Sequence, residues 1–149
     1  MSGLSTSTEQ IEEEESGYRI RNASSWTIFI FGLMAFALGV VGLVWPESTL
    51  LQLGFDIVER TARPDFDYTI VFITASAMAS FNIGIYYMFA AGYNMQRFFR
   101  WTVIFRCVTF VVFMLLIFRG QAPLKFMTVP IWELTGAVAT GVAQWYERR

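Results

Sequence analysis

The chain has 149 residues, 55% hydrophobic, 17% aromatic and only 15% charged, with a formal net charge of −1 and no histidine. The charged share is well below the roughly 25% of a soluble domain, and the mean hydropathy of +0.47 collects in four apolar runs, which excludes an ordinary globular protein. Without histidine there is no His-ligated haem, imidazole-bound metal or His-based triad; the single Cys107 excludes an internal disulfide or CxxC pair, and the near-neutral charge without a basic patch excludes a nucleic-acid partner.

Residues 1–25 are polar and include the acidic run Glu12–Glu15, which reads as a solvated cytoplasmic tail. The domain proper is expected over 26–146. Its first span, 26–45, has a tryptophan at each end, Trp26 and Trp45, about 28 Å apart along a helix and so matched to the two headgroup layers. Gly32, Ala35, Gly39 and Gly42 recur every three or four residues and form a seam that admits a neighbouring helix. In the following loop Ser48 is a candidate cap for an interfacial helix over 48–60, with Leu50, Leu51, Leu53, Ile57 and Val58 on the membrane.

The second span, 69–93, carries no charge. Ser76, Ser80 and Gly84 make a second small-residue seam, while Asn82 and Tyr86, one turn apart, share a face that must find polar company. The third span, 98–118, contains Arg106. A lone guanidinium in hydrocarbon costs about 2.5–3.5 kcal/mol even on the most lenient scale, so the bundle has to receive it. Thr102, Arg106 and Thr109 form one polar stripe, with Cys107 off it. The fourth span, 126–146, answers with Glu133, Thr140 and Gln144 at helical spacing, and Pro130 sits where it would free the Phe126 carbonyl and kink the helix.

These elements predict an all-α, integral membrane, antiparallel four-helix bundle with a polar centre of Arg106, Glu133 and Asn82, supported by Tyr86, Thr102, Thr109 and Thr140. Counted from the helix ends, Arg106 and Glu133 are offset by about 8 Å, so their meeting asks for extended side chains, a kink or a trapped water. Asn82 is expected to accept a hydrogen bond from Arg106. Arg19, Arg21, Arg97, Arg100, Arg148 and Arg149 flank one side of the spans, against Arg60, Arg63, Arg119 and Lys125 on the other, which places both termini in the cytoplasm.

The residues Gly84-Ile85-Tyr86-Tyr87, Ala90-Ala91, Arg97-Phe98-Phe99-Arg100-Trp101-Thr102-Val103 and Arg106 resemble the BphX-like family of small membrane proteins, itself similar in layout to DoxX-like four-helix proteins. Glu133 with Leu134 and Gly136 fits the family's acidic residue before a small residue in the last helix. The resemblance covers the last three spans and implies a bacterial inner-membrane protein, sometimes tied to aromatic catabolism, with no catalytic residue to carry over. Function therefore divides three ways: an accessory or hydrophobic-small-molecule-binding protein without a cofactor, a membrane enzyme using Glu133 as acid or base, or a small proton-coupled transporter. The two glycine and serine seams serve either a homo-oligomer or packing within one chain.

Overall fold

The structure, a computed structural model, describes residues 17–149; the acidic run Glu12–Glu15 lies outside them. In chain order it comprises α1 (Ala23–Val44), a short α2 (Pro46–Leu53), a 3-10 turn (Arg60–Ala62), α3 (Thr69–Gly92), α4 (Gln96–Phe118), a second 3-10 turn (Leu124–Met127) and α5 (Thr128–Glu147). Four helical stretches, Ala23–Val44, Thr69–Gly92, Gln96–Phe118 and Leu124–Glu147, are long and apolar enough to cross a bilayer. Large side chains such as Phe72, Phe105, Leu115 and Val138 face outward, whereas buried positions are mostly small: Gly39, Ala77, Gly84, Ala91, Gly136, Ala137 and Thr140. This reverses the arrangement of a water-soluble domain and is what a bundle solvated by lipid requires.

The helix order in space differs from that along the chain. α1 lies in the middle, packed along α3 on one side and α5 on the other, and α4 packs on α5. The two small-residue seams face each other within the chain. A Cβ on Gly39 would stand 2.5 Å from the Phe81 amide nitrogen, and one on Gly84 2.5 Å from that of Phe36, so α1 and α3 touch backbone to backbone. Ser80 Oγ adds a hydrogen bond to the Ala35 carbonyl at 2.9 Å across the same seam.

Several boundaries differ from the sequence expectation. α1 begins at Ala23 rather than Trp26, because Ser24 and Ser25 are buried and hydrogen-bonded there instead of marking the water-exposed entry. The interfacial helix is Pro46–Leu53, not 48–60: Pro46 takes the first helical position, where its missing N–H is no loss, and Gly54 ends the helix with a left-handed φ of 87°. Ile57 and Val58 thus lie beyond it. α4 starts at Gln96, which brings Arg97 and Arg100 into its first turns. Because α5 starts at Thr128, Pro130 falls in its first turn, where an amide donor has no intrahelical duty, and the expected break does not arise.

The loop after α2 is tied down on the side away from the termini. Lys125 Nζ donates to the Leu51 carbonyl at 3.3 Å, and Phe126 packs against both Phe55 and Phe113. Asp67 accepts hydrogen bonds from the Thr69 hydroxyl and from its backbone N–H at 2.9 Å, fixing the start of α3. These bonds, with Arg63 nearby, hold the Asp67 carboxyl below its ordinary value.

Candidate functional site

Arg106 projects from α4 into the place where all four spans come together. Its guanidinium carbon lies 4.3 Å from the ring centroid of Phe31 on α1 and 5.2 Å from that of Tyr87 on α3, and its Nε is 3.8 Å from Glu133 Oε2 on α5. Phe31 is backed in turn by Trp132, with ring centroids 4.6 Å apart. The guanidinium needs room, and Gly136 supplies it, since a Cβ there would overlap Arg106 Nη1. Two aromatic faces and one carboxylate thus surround a cation that is 5% exposed.

The charge is matched, but the hydrogen bonds are not. At 3.8 Å the contact with Glu133 is an ion pair beyond hydrogen-bonding distance, and both Nε and Nη1 are buried without an acceptor. A buried donor left unmade costs about 1–3 kcal/mol, more when charged, so an acceptor at either nitrogen would stabilise the centre by a comparable amount. Glu133 is the more open partner, its side chain 25% exposed.

The remaining predicted residues sort by the face they occupy. Thr140 is fully buried one turn beyond Gly136 and shares a hydrogen bond with Thr27 on α1 at 3.1 Å. Thr102 is buried and Thr109 half-buried, and both hydroxyls turn back to their own helix, onto the carbonyls of Phe98 and Phe105 at 3.0 Å. Asn82 is half-buried and makes no hydrogen bond to Arg106, contrary to expectation; Tyr86 is 61% exposed. The reason is the orientation of α3. Its α1-facing stripe runs through Ser80, Gly84 and Tyr87, and a step of one residue turns Tyr86 about 100° away.

A second polar cluster, at the end of the bundle that carries the termini, was largely missed by the sequence. Glu147, on the last turn of α5, accepts from the Ser24 backbone N–H at 2.7 Å and from its hydroxyl at 2.6 Å, capping the first turn of α1. Asn94, with a left-handed φ of 51° in the α3–α4 turn, uses one side-chain oxygen to accept from Asn22, Ser25 and Gln96 at 3.3, 3.0 and 2.8 Å. Gln144 donates to the Gln96 backbone and side-chain oxygens at 3.3 and 3.1 Å. Of these residues only Gln144 could be read in advance, from its place on the α5 stripe; the bonds that tie the cluster to α1 join residues 69 to 123 positions apart.

Among the described residues no three His, Cys, Asp or Glu side chains gather as a metal site would require. What Arg106 offers chemically is a fixed, buried cation with free N–H donors beside a carboxylate. The fold and this centre define a multi-pass helical membrane protein. No family model, curated protein or solved structure matches the chain.

Proposed function

We propose that the protein is an intramembrane binding protein for a mostly apolar molecule bearing a hydrogen-bond acceptor, such as the carbonyl of a quinone or an aromatic metabolite, which Arg106 receives. The observation that carries this is the pair of buried guanidinium donors, Nε and Nη1, without an acceptor. An acceptor oxygen would satisfy them, and the flanking rings of Phe31 and Tyr87 suit an aromatic or otherwise apolar body. Glu133 keeps the cation tolerable when the acceptor is away. The resemblance to BphX-like proteins, a bacterial inner membrane and termini on the cytoplasmic side belong to the same proposal, supported by the Arg106 and Glu133 placement and by the arginine bias.

The test uses a decyl-substituted benzoquinone, with decylbenzene as the acceptor-free control, on the purified chain in lipid nanodiscs. The quinone raises the unfolding temperature, decylbenzene does not, and Arg106→Met/Glu133→Gln abolishes the difference while leaving helicity unchanged. Equal shifts with both compounds, or an unchanged response in the double variant, would overturn the proposal.

A second reading rests on the space at Gly136. Because Arg106 Nη1 fills the place of a Cβ there and the cation contacts three other spans, it also serves as a pin that sets helix register. On that reading the double variant loses stability and no compound discriminates it from the parent.

A further inference from the structure

The outer face of α4 carries a feature that the Arg106 centre does not use. Arg97, Arg100, Trp101 and Ile104 line a surface groove of about 320 Å³. With Val108 they follow three- and four-residue spacing, so they form a single stripe along the helix. The stripe changes character along its length. Its first turns hold two exposed guanidinium groups at the end of the span; Trp101, 60% exposed, stands at the headgroup level; Ile104 and Val108 continue into the apolar belt.

Neither arginine is paired among the described residues. The nearest carboxylate across the adjoining polar pocket is Glu147, which shares that pocket with Arg100 and Arg148 but spends both oxygens on Ser24. Glu147 keeps its charge, yet among the described residues lining the two adjoining pockets Arg97, Arg100 and Arg148 outnumber it, so the local charge is net positive, in a groove whose other half is apolar. An anionic headgroup with an acyl chain has the same two halves in the same order.

We propose that this groove binds one anionic phospholipid, with the phosphodiester between Arg97 and Arg100 and an acyl chain along Trp101, Ile104 and Val108. Charge complementarity selects the headgroup, and the depth of the apolar residues selects a lipid over a soluble phosphate ester. The site is separate from Arg106 and stands or falls independently of the ligand proposed there.

Native mass spectrometry of the full chain released from nanodiscs of phosphatidylcholine with or without phosphatidylglycerol tests this. The parent protein retains one phosphatidylglycerol and no comparable phosphatidylcholine. Arg97→Gln/Arg100→Gln weakens retention about 30-fold, about fivefold per arginine, whereas Arg97→Lys/Arg100→Lys keeps most of it and Arg119→Gln/Lys125→Gln, at the opposite end, changes nothing. Equal retention of both lipids, undiminished retention in the glutamine variant with its fold intact by circular dichroism, or equal competition by soluble glycerophosphate would each overturn the proposal. If the parent retains no phosphatidylglycerol and only Glu12→Gln/Glu13→Gln/Glu14→Gln/Glu15→Gln does, the acidic tail is the occupant and the proposal fails.

Discussion

The two polar clusters of this bundle differ in how completely their groups are satisfied. At the end bearing the termini, Ser24, Ser25, Asn94, Gln96, Gln144 and Glu147 share acceptors and donors repeatedly, so that loss of one bond leaves others. In mid-span, Arg106 has one ion-pair contact, two ring faces and two unmet donors. Near water, redundancy is easily arranged. In hydrocarbon each polar group must be placed singly, and one left incomplete is costly enough to suggest use.

This contrast can be broken from either side, and the largest effect is expected at the centre. Glu133→Leu leaves the Arg106 charge buried and alone and should cost about 3 kcal/mol in reversible unfolding in mixed micelles, with most of it recovered in Arg106→Met/Glu133→Leu. If the single variant is as stable as the parent, the ion pair is not what makes the cation tolerable. Gly136→Ala places a methyl against Nη1 and should cost about 1–3 kcal/mol, reduced when Arg106 is also Met. Additive costs in that double variant would show that Gly136 serves helix packing rather than the guanidinium.

The redundant cluster should respond less. Glu147→Ala removes two bonds to Ser24, yet Gln96 still reaches the Ser24 hydroxyl at 3.2 Å, so about 1 kcal/mol is expected, with faster amide exchange confined to the first turn of α1. Exchange spreading through α5 would mean that the cluster is less redundant than its bonds suggest. The smallest effect lies at Asp67, in the loop on the other side. Its folded carboxyl is held below the unfolded value by the Thr69 hydroxyl and N–H, so its contribution is full above the ordinary carboxylate range and lost as pH falls through the lowered value. Amides at the start of α3 should lose protection, relative to their intrinsic exchange rates, at low pH in the parent, whereas protection in Asp67→Asn should not change with pH.

The four spans and their mutual seams were legible because hydropathy and small-residue spacing act locally. Gly39 and Gly84 announced a close crossing, and each now meets the partner backbone. Arg106 and Glu133 were legible as a pair because charge in an apolar run has few ways to be tolerated. Tyr87 was not, since choosing it over Tyr86 depends on the rotation of α3 against α1, which no local pattern fixes. Nor was the Glu147 clamp, because Ser24 reads as the polar edge of a span until a carboxylate 123 residues away is brought beside it. The short helix was misplaced because Ser48 looked like its start, whereas Pro46 had already set the backbone.

The neighbour order α3, α1, α5, α4 bears on how such a protein is made. The ribosome delivers α4 with its cation before the carboxylate of α5 exists, and until then the guanidinium costs about 2.5–3.5 kcal/mol wherever it stands alone in lipid. Entry of the last two spans as a hairpin, with the carboxylate of α5 already beside the cation, avoids that cost before the pair docks onto α1 and α3. The position of one side chain thus favours biogenesis in two paired steps.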